Sequence, residues 1–407
     1  MKDILKNRPF LFILFTAFLS IMGIGLIIPV LPFIVGKYIT HNNTIAIYVG
    51  LLTSIYAFCQ FFASPVIGAL SDKFGRRWVL LLCLLGSAIG YILFGIGGSL
   101  TILFVARIID GTTGGDISTA MAYVADVTEP QDRGKYFGIV GSVMGLGFML
   151  GPTIGGFLAH ISLSAPLYLA AALTLINMIY GYFVLPETLS KEHRIADFSL
   201  HHLNPFAQMH YIMKKNVLLW LMIIGSFYFF AFAQMSGLLA VFYKDILHWT
   251  PANLGLYFLV LGIGDMVTQG YLAGKLIEKI GIISVIMAGF LLTGLAFGIN
   301  VILPIFPYFL LAFVYVVIYA IGSGFFEPAF DGLISSAASP QEQGRVQGAY
   351  QSVQSITRII GPLFATLLYQ FGHSLPWVSC VVFSIIGAIL LWQRKGKFVN
   401  LHSTREN

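Results

Sequence analysis

The chain has 407 residues, 57% of them hydrophobic and only 10% charged. A soluble domain carries roughly 25% charged residues, so this composition excludes a water-soluble globular protein and points to an integral membrane protein. The net charge of +6 would suit a nucleic-acid partner if it were clustered, but the basic residues lie between apolar runs, and that placement excludes nucleic acid.

Taken in order, the chain opens on "MKDILKNRPF". The apolar run that follows is too long for a signal-peptide core and lacks a small-residue cleavage site, so no cleavable leader is expected. A spanning helix needs about 20 mostly apolar residues. Twelve such runs follow, at 10–34, 46–70, 78–98, 100–124, 136–159, 165–185, 217–243, 252–276, 281–301, 306–335, 345–370 and 374–393. Barrel strands would be about 10 residues long and would alternate in polarity. Of the 23 Lys and Arg, Lys37 and Lys244 fall on one side, Arg107 and Arg358 fall within runs, and the remaining 19 fall on the other side. The positive-inside rule puts those 19 and both termini in the cytoplasm. A multi-pass protein of the inner (plasma) membrane is therefore expected. The sequon Asn42-Asn43-Thr44 in the first outer loop is read as a chance occurrence. Cys59, Cys83 and Cys380 all lie in apolar runs, with neither a disulfide framework nor metal spacing.

Residues 186–216 form the longest polar stretch and read as a cytoplasmic linker. It joins an N-terminal six-helix half, 1–185, to a C-terminal half, 217–407, that ends in a short cytoplasmic tail. The halves repeat one another. "GALSDKFG" (68–75) and "GKLIEKIG" (274–281) share Gly-x-x-x-acid-x-x-Gly, and "DRGKYFG" (132–138) faces "EQGRVQG" (342–348) at an offset of 210. Gly151-Pro152 faces Gly361-Pro362 at that same offset; one residue out of register, Gly111 faces Gly322 and Asp116 faces Glu327. Two like-oriented, similar halves are the parallel repeat of a twelve-helix transporter.

Four motifs carry a resemblance to a known family. They are "GIGLIIPVLP" (23–32), "GALSDKFGRR" (68–77), "ARIIDGTTGG" (106–115) leading to "AYVADVT", and "GLGFMLGPTIGG" (145–156). In this order and position they resemble the twelve-helix drug:proton antiporters of the major facilitator superfamily, close to the tetracycline-efflux branch. The resemblance covers nearly the whole chain. It implies an all-α membrane fold of twelve transmembrane helices in two pseudo-symmetric six-helix halves, working by alternating access. It implies a latch at the inner gate from Gly68, Asp72, Gly75, Arg76 and Asp126. Physically, the two glycines allow tight turns and close approach, Asp72 suits a helix N-terminus, and Arg76 suits a pair with Asp126. The resemblance also makes Gly145, Gly147, Gly151, Pro152, Gly155 and Gly156 the antiporter helix, a tight hinge whose glycines permit close packing. The chain departs from the branch where that branch carries acids. Ser20 stands in the first helix, Gly90 in the third, and the ninth span has none. Tetracycline as substrate therefore does not follow.

Seven charges lie within spans: Arg107, Asp110, Asp116, Asp265, Glu327, Asp331 and Arg358. Each is unfavourable by about 2.5–3.5 kcal/mol at mid-membrane, and together they carry an excess of acid, so pairing cannot satisfy them all. They are the candidate proton-coupling residues, with Arg107 matching the fourth-helix arginine that the family links to that role. Arg107 and Asp110, three apart, are placed for an ion pair along the helix. Asp116 is nine residues from Arg107, about 13.5 Å along a straight helix and on the opposite face, and is expected to face the cavity between the halves. In "FFEPAFDG" (325–332), Glu327 and Asp331 lie one turn apart around Pro328, which is expected to bend the helix. Two such acids do not both ionise readily in a low dielectric, so the pair is expected to hold and release one proton. The alternative puts Asp331 in a wet vestibule and pairs Glu327 with Arg358. Asp265 is either a partner of Arg358 or a second proton carrier. Ser20, Gln60, Gln234, Gln351 and Gln354 are candidate substrate-cavity residues.

The expected function is proton-driven export of lipophilic, cationic or zwitterionic compounds, with protons, a small-molecule substrate and the bilayer as partners and a monomer as the unit. The alternative is a proton-coupled transporter of a metabolite, sugar or siderophore on the same fold. No zinc spacing, nucleotide loop or nucleophile-base constellation is present, so neither a cofactor nor a metal nor an enzymatic activity is expected.

Overall fold

The computed structural model describes residues 8–129, 132–189, 192, 194, 215–338 and 342–403. The expected linker 186–216 lies mostly outside the described residues, as does the end of the C-terminal tail. The chain is an all-α membrane protein, and no strand occurs among the described residues. Among the described residues ten helices are long and apolar enough to cross a membrane. The other two expected spans fall short for different reasons. The fourth is split into Leu100–Thr113 and Asp116–Val127. The eleventh, Gln343–Phe371, is unbroken, but its stretch 345–358 carries Arg345, Gln347, Gln351, Gln354 and Arg358.

Local chemistry sets the helix ends. The first span runs Arg8–Ile27 and resumes as Leu31–Val35; Pro29 and Pro32 between and within them remove backbone donors. Ser99 caps the fourth span by accepting from the Ile102 amide at 3.3 Å. Gly75 and Gly281, the matched final glycines of the repeated loop motif, have φ of 102° and 82°. Both precede a helix (Arg76–Ile96 and Ile282–Ile302) in a conformation that disfavours any side chain.

Packing groups the described residues into two units. One takes those of 1–40, 55–205 and 250–259; the other takes those of 41–54, 206–249 and 260–407. The start of the second span thus belongs with the second unit and the start of the eighth with the first, an exchange that a division by chain order does not contain. Glycines permit it. A Cβ on Gly50 would lie 2.7 Å from Thr366, and one on Gly156 would lie 2.8 Å from the Gly255 Cα.

In lipid, apolarity alone does not drive helices together, so close backbone packing must. In the first unit the fifth span, Arg133–Leu158, lays Gly147, Gly151 and Gly155 along the first span. Ideal Cβ atoms there would stand 2.7, 2.6 and 2.5 Å from the carbonyls of Phe18, Met22 and Leu26. In the second unit, aromatic rings fill the core. Tyr228 stacks on Phe326 at 3.7 Å between centroids, and Phe326 stacks on Phe330 at 4.9 Å. Outside these cores Phe183 and Phe371 are 78% and 82% exposed, surfaces that hydrocarbon rather than water accommodates.

Candidate functional site

The tenth span, Phe309–Ser336, is continuous through Pro328 and carries Glu327 and Asp331. Glu327 is partly buried, and the Tyr228 hydroxyl donates to its Oε1 at 3.4 Å. The Tyr228 ring is held by its stack on Phe326, the residue before Glu327. One turn earlier Ser323, which is buried, donates to Asp265 Oδ1 at 2.8 Å. Ser323 and Glu327 share a helix face, so Asp265 of the eighth span and Glu327 of the tenth are presented on the same side. Asp331 is exposed and takes the Tyr350 hydroxyl at 2.6 Å. No hydrogen bond joins Glu327 to Asp331 among the described residues, where sequence spacing pointed to a shared proton. Each acid finds its own tyrosine, because the tyrosines come from different spans.

The eighth span changes register beside this site. Pro251–Val267 passes into a π-helical turn, Thr268–Leu272, three residues after Asp265. Such turns recur at functional sites. Gly324 packs there, since a Cβ would lie 2.6 Å from Thr268 Cβ. Pro328 has no amide to give the Gly324 carbonyl, so the tenth span is loosened where the eighth presses on it.

In the first unit the fourth span breaks at Gly114-Gly115. Arg107 Nη1 lies 3.3 Å from Asp110 Oδ2, with both residues buried, and its guanidinium sits 4.1 Å from the Tyr56 ring. Asp116 begins the second helix, is 5% exposed and receives the Ser20 hydroxyl of the first span. The expectation that Asp116 looks away from Arg107 assumed a straight helix. The break turns it inward, and Asp110 and Asp116 line one small cavity with Ser20, Tyr56, Gln60 and Tyr91. Gln60 donates to Tyr56 Oη at 3.2 Å and to the Gly114 carbonyl at 3.0 Å, closing the break. Among the described residues no ion pair involves Asp116, Asp265, Glu327 or Asp331.

The remaining candidates separate. Gln234 is 1% exposed; its Oε1 takes the Ser379 hydroxyl at 2.6 Å, joining the seventh and twelfth spans, and its Nε2 has no hydrogen-bond partner among the described residues. Gln351 is exposed, as is Arg358, and Gln354 is partly buried. At the loop motif, Arg76 binds Asp72 and reaches Asp126 Oδ2 at 3.1 Å and Ser71 Oγ at 2.7 Å. Asp72 does not cap a helix. It lies in the last turn of Asn42–Phe74 and faces Arg76. The cap comes instead from Glu187, whose carboxylate accepts from the amides of Arg76 at 2.9 Å and Arg77 at 3.3 Å. A Cβ on Gly75 would meet that carboxylate, whereas Gly68 and Gly145 have open space around them, so neither makes the close approach expected of it.

The sequence profile of the Major Facilitator Superfamily matches residues 13–362 and 270–405. The chain belongs to the major facilitator superfamily. It is 34% identical over 377 residues to the class C tetracycline resistance protein of Escherichia coli, covering 92% of this chain and 93% of that one. It is 28% identical over 415 residues to multidrug resistance protein 2 of Bacillus subtilis, with 96% of each chain covered. The crystal structure of the human organic anion transporter MFSD10 (TETRAN) superposes with a TM-score of 0.69 at 22% identity, over 94% of this chain and 99% of that chain. That likeness shows the fold.

Within this major facilitator fold, Ser20 and Gly90 both adjoin acids of the fourth span. Ser20 donates to Asp116, and a Cβ on Gly90 would lie 2.9 Å from the Asp110 Cβ. Sequence reading did not find Tyr228, Ser323, Tyr350 and Glu187 as partners. Ser323 was within reach, four residues before Glu327 on one helix face. Asp245 was also missed, because the seventh helix continues to Leu247 past the apolar limit; it takes the Tyr369 hydroxyl at 3.0 Å.

Proposed function

We propose that the chain is a proton-coupled secondary transporter that exports lipophilic, cationic or zwitterionic compounds by alternating access, and that Glu327 and Asp265 carry the coupling. It sits in the inner (plasma) membrane with both termini and the linker 186–216 in the cytoplasm, joining halves 1–185 and 217–407. One observation carries the reading: these acids are held by hydroxyls, Tyr228 and Ser323, and among the described residues neither is in an ion pair. A hydroxyl donates to a carboxylate and accepts from a carboxylic acid. A guanidinium would satisfy only the ionised form. The site therefore keeps its hydrogen bond while the proton comes and goes. An ionised acid at this depth is unfavourable by about 2.5–3.5 kcal/mol and draws in a cation, whereas a protonated one is neutral and attracts none. Proton and cationic substrate thus exclude each other, which is the requirement for exchange. The relatives named as tetracycline and multidrug resistance proteins support export of drug-like compounds.

The other parts take supporting roles. Arg107 and Asp110 neutralise one another. Asp331, itself exposed and bonded to the buried Tyr350, passes protons between Glu327 and water. The Asp72–Arg76–Asp126 cluster is the latch of the cytoplasmic gate, working as a monomer.

The test is growth of a pump-deficient bacterium across a panel of toxic lipophilic compounds, expressing wild type, Glu327→Gln or Asp265→Asn at equal membrane levels. Wild type is expected to protect and both variants to fail. Full protection by Glu327→Gln would overturn its role, and no protection by wild type against any compound would overturn export. In proteoliposomes, substrate uptake in the same direction as an imposed proton flow would favour the metabolite-transport alternative.

A further inference from the structure

The first unit contains a buried acid for which the exchange at Glu327 has no use. Asp116 lines a small cavity of about 10 Å³ with Ser20, Tyr56, Gln60, Tyr91 and Asp110. That is room for one water. A drug-sized ligand needs a pocket of roughly 300 Å³ or more, so this cavity admits no exported compound. Most of its polar groups have a partner. Ser20 donates to Asp116, Gln60 donates to Tyr56 and to the Gly114 carbonyl, and Arg107 pairs with Asp110. The Tyr91 hydroxyl, in a residue only 3% exposed, has no hydrogen-bond partner among the described residues, yet it lines the cavity. A buried hydroxyl aimed at a water-sized space points to a water there.

The groups facing Asp116 leave it free to change charge. Cys83 and Tyr91 come from the third span, Tyr56 from the second, and Arg107 and Asp110 from its own; Ser20 and Thr174, from the first and sixth, do not titrate. Arg107 is engaged by Asp110 and Tyr56, and among the described residues no ion pair holds Asp116. The break at Gly114-Gly115 sets Asp116 as the first residue of Asp116–Val127, where free amides favour the anion. Burial favours the acid. Each form has its own support.

We propose that Asp116, with Ser20, the Tyr91 hydroxyl and one water, is a proton-binding site of the first half, separate from Glu327, and that each cycle exchanges two protons, one in each half, for one substrate. On loading, the water hands a proton to an Asp116 carboxylate oxygen and is itself reprotonated from the aqueous side; Ser20 turns from donor to acceptor. Release runs the same steps backwards. The stoichiometry rests on the exporter reading, whereas proton binding at Asp116 does not.

Two measurements on the purified full-length protein test this. Infrared difference spectra across a pH step count carboxyl groups that take up protons, without any substrate. Asp116→Asn is expected to remove one titrating carboxyl band while leaving the Glu327 band, and Tyr91→Phe and Ser20→Ala are expected to shift the Asp116 band. If Asp116→Asn does not fold, the shifts in the other two variants decide. An unchanged set of bands in the variants would overturn the site. In proteoliposomes with ethidium as probe, the proton-to-ethidium flux ratio is expected to fall from two to one in Asp116→Asn; an unchanged ratio would overturn the two-proton cycle. Ethidium flux without proton flux in wild type would overturn the exporter reading instead, and the infrared result would still judge Asp116.

Discussion

The fourth and tenth spans occupy matched places in the two repeats and carry matched acids, Asp116 and Glu327, yet they bury them in opposite ways. Residues 111–116 read "GTTGGD" and residues 322–327 read "GSGFFE". Where the first half has Gly114-Gly115, the second has Phe325-Phe326. The glycines let Ile67 press onto the backbone, since a Cβ on Gly115 would lie 2.6 Å from it, and the helix breaks. The phenylalanines hold the other helix intact, with Phe326 stacked between Tyr228 and Phe330. One acid ends in a cavity the size of a water and the other on an aromatic stack beside Asp265. A shared ancestry of halves thus fixes where an acid stands in the chain, and two neighbouring residues decide what it meets.

Phe326→Ala puts the second arrangement under the hardest strain. Truncating a fully buried aromatic is expected to destabilise by about 3–5 kcal/mol, read as a lowered thermal midpoint of the purified protein; an unchanged midpoint would mean the stack does not hold the tenth span. Glu327→Gln should leave that midpoint in place and lower export on the order of 10²-fold, the scale of a lost proton-transfer group. Equal losses of stability and transport would make Glu327 a packing residue. Gly115→Ala probes the break itself. The new methyl meets Ile67 at Cδ1, Cβ and Cγ2, 2.6, 2.8 and 2.9 Å away, so overpacking of about 1–3 kcal/mol is expected, measured by the same melt. Tyr228→Phe keeps the stack and removes only the hydroxyl, worth about 1 kcal/mol. Its expected outcome is roughly a fivefold lower export rate with unchanged insertion; a wild-type rate would show that Glu327 needs no hydroxyl.

Much of the site was legible as a list of residues and little of it as a set of contacts. The acids were found because a charge in an apolar run is conspicuous. Their partners are serines and tyrosines, which are ordinary in such runs and give no signal. Gln234, an amide that stands out in a span, takes the Ser379 hydroxyl of another span, a partner that gives no signal in the sequence. The straight-helix geometry drawn for Asp116 failed because Gly114-Gly115 was read as part of a motif and not as a break.

By itself the sequence determined the apolar runs, the sidedness of the basic residues, the repeat and the identity of the buried charges. Lipid imposes each of these along the chain, through the length a helix needs to cross and the energy a charge meets inside. Only the tertiary structure decided that Asp116 meets Ser20 across 96 residues, Asp265 meets Ser323 across 58 and Glu327 meets Tyr228 across 99. Those pairings depend on how helices rotate and break against one another, and that rotation is set by close packing of small residues and rings, which no spacing within a single span contains.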